Sequence, residues 1–121
     1  MARSQQIYHK GKNIFYMDFT NLKTLHEINA VINESTNFIR IRPATSLYCL
    51  TNIKEMHFNN EIKDLFQIFV KGNKPFVKSS AVVGLSGLQQ IVYNGLMKIT
   101  GRNIKSFSSL EEAKDWLTGT N

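Results

Sequence analysis

The sequence has 121 residues, of which 42% are hydrophobic and 20% are charged. This length corresponds to one domain. The composition excludes a disordered chain, which would need fewer apolar residues and more uncompensated charge. A single cysteine, Cys49, allows no internal disulfide, and the scattered histidines indicate no zinc site. We expect one domain over residues 1–121 with no metal and no cofactor.

The placement of charge is more informative than the net value of +6. No acidic residue occurs between Leu65 and Leu110. That interval carries Lys71, Lys74, Lys78, Lys98, Arg102 and Lys105. Such a segment predicts either a positive face for an anionic partner or ordinary solvated cations near helix ends. Aromatic residues do not alternate with these cations, so specific nucleic-acid binding is not expected.

Two features of the chain bear on its location. Residues 1–12 lack the apolar core of a signal peptide. No apolar run approaches the ~20 residues that cross a bilayer. We expect a soluble, cytoplasmic protein without a transmembrane segment.

The first half of the chain predicts two strands, a helix and a third strand. "QQIY" and "NIFYMDF" flank a turn in which Gly11 can take positive φ. Residues 21–36 carry apolar side chains at helical spacing, and "FIRIRP" alternates as an extended segment would. "TSLYCLTNI", which contains Cys49, is an apolar run typical of a buried strand.

The second half continues the alternation of helices and strands. Residues 59–72 are helical in period, with Asn59 or Asn60 as N-cap and Gly72 at the end. "SSAVVGL" predicts a central strand. In the following helix, the spacing places one apolar set toward the core: Leu88, Ile91, Val92, Leu96 and Ile99. "NIKSF" and "SSLEEAKDWLTG" predict a last strand and helix.

The resulting order is β-β-α-β-α-β-α-β-α. Strands that alternate with helices imply crossover units and an α/β fold whose sheet is mostly parallel. The first two strands, joined by a short turn, predict an antiparallel edge.

The stretch Gly84-Leu85-Ser86-Gly87 joins a predicted strand to a predicted helix. It fails the G-x-S-x-G pattern of a hydrolase nucleophile, and phosphate-loop motifs are absent. Two interpretations remain open: Ser86 caps the next helix, or Gly84, Ser86 and Gly87 offer backbone N–H groups to an anion. Lys78, Lys98 and Arg102 are the cations expected to assist such a ligand.

Four sequence segments, in this order along the chain, resemble those of a known protein family. "GKNIFYMDFTNL", "LYCLTNI", "VKSSAVVGLSGL" and "FSSLEEAKDWL" make the chain similar to STAS-type domains, and more closely to the small bacterial SpoIIAA-like (STAS/SEC14) proteins. The resemblance extends from Ile7 to Leu117. It implies about five mostly parallel strands with one antiparallel edge strand, four helices, and a regulatory role without catalytic residues.

The resemblance also implies a binding edge. Antagonist-type STAS domains bind a protein partner, and a serine at the start of the second helix is phosphorylated to switch that binding. The usual Asp-Ser pair is missing here, and Thr51 followed by Asn52 stands nearest, with Lys54 beyond them. We expect partner binding and a candidate phosphosite at these three residues. The alternative is a carrier or sensor of a lipid-like anion, or a protein that binds anionic membranes; a homodimer is a further expectation.

Overall fold

Five strands form one mixed sheet whose spatial order, β1-β2-β3-β4-β5, follows the sequence. The structure is a computed structural model that describes residues 3–119. The strands are β1 (Ser4–His9), β2 (Lys12–Asp18), β3 (Leu47–Asn52), β4 (Val77–Val83) and β5 (Ile104–Phe107). The helices are α1 (Leu25–Ile39), α2 (Asn60–Asn73), α3 (Gly87–Thr100) and α4 (Leu110–Gly119), and a 3₁₀ turn (Lys74–Phe76) follows α2.

Strand direction confirms the predicted sheet. β1 and β2 are antiparallel, and β2, β3, β4 and β5 run parallel. The tight turn between β1 and β2 has Lys10 at φ 49° and Gly11 at φ 85°. Two consecutive positive φ angles are the requirement of the type I′ turn, whose twist matches that of the paired strands.

Helices cover both faces of the sheet. α1, α2 and α3 pack on one face, and we call them the helical layer; α4 crosses the other face. Successive residues of the central strands alternate between the two cores, as period-two geometry requires. Cys49 and Val82 face the helical layer, whereas Leu50 and Ala81 face α4. β3 and β4 are thus buried on both faces, which explains their continuous apolar runs.

The bounds of α1 and α2 differ from the prediction. α1 begins at Leu25, after the N-cap Thr24, and not at residue 21. α1 continues to Ile39, so the first part of "FIRIRP" is helical and not extended. α2 begins after Asn59, whose side chain accepts a hydrogen bond from the Ile62 N–H, but it continues past Gly72 to Asn73. Gly72 serves packing instead of termination, because the guanidinium of Arg40 occupies the space that a Cβ would need.

The orientation of α3 is the main departure from the sequence prediction. Three of the five residues predicted to face inward are exposed: Leu88 (67%), Ile91 (70%) and Ile99 (62%). Gln89 and Thr100 are buried in their place. The helix is rotated by about 100° from the predicted orientation, the angle between neighbouring residues. In this orientation the Gln89 side chain points inward, and its Nε2 donates to the Met56 carbonyl at 3.1 Å.

None of the helices between residues 3 and 119 combines the length and apolar character that a membrane crossing requires.

Gly84 tests how closely the loop after β4 approaches the loop after β3. It has φ 91°, and a Cβ added there would lie 2.5 Å from the Lys54 nitrogen. We expect Gly84→Ala to lower the free energy of unfolding by about 2 kcal/mol or more, because the left-handed conformation and the backbone clash both oppose a side chain. Urea denaturation measures the loss.

The matched control is Gly87→Ala, three residues along the chain. An added Cβ at Gly87 meets nothing within 4 Å. Its stability should stay within about 0.5 kcal/mol of the parent. Equal stabilities for the two variants would contradict the close approach of Gly84 to Lys54.

Candidate functional site

The carboxyl ends of β2, β3 and β4 lie side by side, and Asn52 joins those of β2 and β3. This buried amide donates from Nδ2 to the Tyr16 hydroxyl at 3.0 Å and accepts from the Lys54 N–H at 3.2 Å. The backbone carbonyl of Asn52 accepts from the Phe19 N–H at 2.9 Å. Asn52 therefore orders the loops at this edge, and its side-chain amide is engaged inside the protein.

The three residues predicted to form a partner-binding edge point in different directions. Thr51 is half-buried and lines a cavity under the helical layer. Asn52 is buried in the edge, and Lys54 is exposed. The Lys54 carbonyl accepts from the Asn21 N–H at 3.1 Å, so the backbone of this residue also joins two loops.

The turn before α3 brings Gly84, Ser86 and Gly87 together, as predicted. Ser86 is the N-cap of α3, and its carbonyl accepts the first helical hydrogen bond from the Gln90 N–H at 2.8 Å. The Ser86 N–H and hydroxyl both donate to the Gln89 Oε1, at 3.1 and 3.2 Å. Capping is the role that this geometry displays, and the Ser86 N–H considered for an anion is engaged with Gln89.

The three cations predicted to assist an anion are separated. Arg102 donates to the Val70 carbonyl at 2.6 Å and to the Ser80 hydroxyl at 2.8 Å, and so joins the last turn of α2 to β4. Burial lowers the pKa of the Arg102 guanidinium. Lys78 instead lies over the Tyr48 ring at 5.7 Å, on the α4 side, and Lys98 is exposed near the end of α3.

A cavity of about 80 Å³ lies between the sheet, α2 and α3. Most of its wall is apolar, including Phe66, Phe69, Val82, Leu96, Met97 and Ile104. The polar side chains in the wall are Thr51, Gln89 and Tyr93. Burial raises the pKa of the Tyr93 phenol, which therefore stays neutral at physiological pH. An apolar cavity with a few neutral polar groups suits an apolar or amphipathic ligand.

Sequence reasoning missed this cavity apart from Thr51. A signal was present, because Gln89, Tyr93 and Met97 recur every four residues and so share one side of α3. The neighbouring side of α3 is more apolar, and it was therefore predicted to face the core.

The chemistry of Cys49 and of possible metal ligands bears on catalysis. Burial raises the pKa of the Cys49 thiol from 9.0 to about 12, so this thiol is protonated and a poor nucleophile. Within residues 3–119, no three side chains of His, Cys, Asp or Glu gather as metal ligands would.

Comparison with known proteins supports the fold. No protein-family profile matches the chain, and no curated protein does. The chain is similar to the crystal structure of an uncharacterised DUF3478-family protein with a SpoIIAA-like fold from Shewanella loihica PV-4. The TM-score is 0.67 at 16% sequence identity, over 94% of this chain and 91% of the other. The fold is therefore SpoIIAA-like, as the resemblance predicted.

Arg102 is expected to act as a structural cross-link. Arg102→Met should lower the free energy of unfolding by about 2–3 kcal/mol, because it removes charge-assisted hydrogen bonds and leaves the Val70 carbonyl and Ser80 hydroxyl without this donor. Urea denaturation measures this loss. The control is Lys105→Met, which removes an exposed cation from the same acid-free segment and should change stability by less than about 0.5 kcal/mol. Equal effects would contradict the cross-link.

Cys49 should make the fold sensitive to alkali. Its folded-state pKa, about 12, lies above its ordinary value of 9.0, so the protonated thiol favours the folded state. This contribution is complete below about pH 9 and is lost as the pH rises toward the folded-state pKa. Stability should therefore fall more between about pH 8 and pH 10.5 in the parent than in Cys49→Ala, measured by urea midpoints. Parallel curves would contradict a buried neutral thiol.

Proposed function

We propose that this protein is a non-catalytic binding module that holds the apolar part of a small amphipathic ligand in the cavity between the sheet, α2 and α3. The observation that carries the proposal is the cavity wall, which is apolar except for Thr51, Gln89 and Tyr93. Apolar cavities in proteins stay dry and are filled favourably by apolar groups.

The size of the cavity limits the ligand. At about 80 Å³ it is roughly half the size of an engineered cavity of roughly 150 Å³ that binds benzene. A short alkyl segment fits such a volume. The net charge of +6 favours an anionic head group, because it raises the local concentration of anions around the protein.

The character of the wall also supports binding over catalysis. The ionisable group that we identify in it is the Tyr93 phenol, whose pKa is raised by burial, and the nearby Cys49 thiol is held protonated. Neither group is poised to transfer a proton at neutral pH. The SpoIIAA-like fold supports a regulatory role, in which the occupied cavity alters contact with a protein partner. Phosphorylation of Thr51 stays a prediction; a half-buried hydroxyl in this wall is better placed to meet a ligand.

Native mass spectrometry of the freshly purified protein is the first experiment. We expect an additional mass that disappears when the chain is denatured. Isotope-edited NMR with sodium hexanoate and sodium octanoate as probes then locates the site, and amide shifts should centre on Thr51, Gln89 and Tyr93.

Two neighbouring residues of α3 provide a matched pair of variants. Val92 lines the cavity and Ile91 is exposed. Val92→Phe fills the cavity and should weaken octanoate binding at least tenfold, whereas Ile91→Phe should leave it unchanged at protein concentrations where the parent is monomeric. Circular dichroism confirms that both variants fold. Equal binding by both variants, or shifts that map to the surface, would reject the proposal.

A further inference from the structure

Exposed apolar residues are concentrated on the helical layer. Seven large hydrophobic residues are exposed within residues 3–119, and five of them lie on this layer. The five are Leu25, Ile68, Leu88, Ile91 and Ile99. Apolar residues scattered singly over a surface need no explanation, but a concentration on one face marks an interaction site.

The first part of this surface is a stripe on α3. Leu88, Ile91, Gly95 and Ile99 follow one another at spacings of three, four and four residues, and so share the outer side of the helix. We call these residues the outer stripe. Gly95 faces open space, because an added Cβ would meet nothing within 4 Å. Since it has no side chain, another helix can approach the stripe closely at this point. Lys98, beside Ile99, is the one charged residue of α3.

The second part is a groove between α1 and α2 with a volume of about 320 Å³. Its lining combines apolar Leu25, Leu65 and Ile68 with the carboxylates of Glu61 and Asp64, and Lys63 pairs with Asp64 at 3.5 Å beside the groove. We call it the acid-rimmed groove. It lies on the same helical layer as the outer stripe, and α2 separates the two.

We propose that the acid-rimmed groove of one chain receives the outer stripe of a second copy, which forms a two-fold symmetric dimer through the helical layers. The two surfaces complement each other, because an apolar helix with one cation meets an apolar groove with two carboxylates. A two-fold axis that passes near α2 places the stripe of each chain in the groove of the other. The apolar surfaces of both chains are then covered, and no further copy can be added.

The charges favour a second copy over a lipid surface. Helices that lie in membrane interfaces carry a polar side rich in lysine and arginine. α3 carries only one charged residue, Lys98. The carboxylates of Glu61 and Asp64 lie across α2 on the same helical layer, and anionic head groups would repel them. The same carboxylates attract Lys98 of a second copy. The surfaces that form the dimer do not include the cavity, so the test of dimerisation needs no added ligand.

Sedimentation velocity over a concentration range tests the dimer. We expect a monomer–dimer equilibrium, with the dissociation constant raised at least tenfold by Ile68→Ser in the groove and by Ile91→Ser in the stripe. These residues are equally exposed, at 70% each. The control is Ile41→Ser, which changes a residue that is 75% exposed but lies outside the layer, and should leave the constant unchanged.

Charge exchange tests the pairing itself. Lys98→Glu and Glu61→Lys should each weaken the dimer, and the double variant should recover affinity toward that of the parent; Glu61 is chosen because Asp64 already pairs with Lys63. A parent protein that stays monomeric at about 100 µM would overturn the proposal, as would full dimerisation of Ile68→Ser. A monomer that sediments with anionic vesicles, and loses this property in Ile91→Ser but not in Ile68→Ser, would assign the stripe to membranes instead.

Discussion

Helix α3 is fixed to the rest of the fold by polar contacts at its two ends, and the cavity under its centre depends on them. At the start, Gln89 connects the Ser86 cap to the Met56 carbonyl. After the end, Arg102 joins the Val70 carbonyl to Ser80. These contacts hold the helix at a set distance and rotation above β4 and β5, where apolar side chains do not fill the space. A close-packed interior would leave no such volume, and the rotation of α3 that buries Gln89 is the same one that exposes Leu88, Ile91 and Ile99.

Much of the fold could be predicted from the sequence, because its central strands are unambiguous. The apolar runs around Leu50 and Ala81 are short and typical of strands buried on both faces, and Gly11 marks the turn. α3 could not be predicted in the same way. Its apolar residues extend around more than half of the helix, and periodicity selects the most apolar side. The buried amide of Gln89 selects a side about 100° away, and its acceptor, the Met56 carbonyl, is 33 residues distant in the chain.

The candidate site divides into a local part and a part set by topology. Gly84 and Ser86 came together as predicted, because they are neighbours in one turn. Lys78 and Arg102 did not, because residues of adjacent strands or loops reach opposite faces of a sheet according to their register. Helix direction explains part of the acid-free segment. Parallel crossovers bring the carboxyl ends of α1, α2 and α3 to one edge of the sheet, where cations such as Arg40, Lys71 and Lys98 are favoured by the helix dipoles.

The proposed ligand and the proposed second copy would contact opposite sides of the same helix. A ligand in the cavity meets Val92 and Tyr93, while a second copy meets Leu88 and Ile91. If the cavity holds α3 in the rotation that presents the outer stripe, filling it changes the free energy of dimerisation. Dimerisation then changes the affinity for the ligand by the same factor, because coupling between two binding equilibria is reciprocal. α3 would thereby connect a small-molecule signal to assembly.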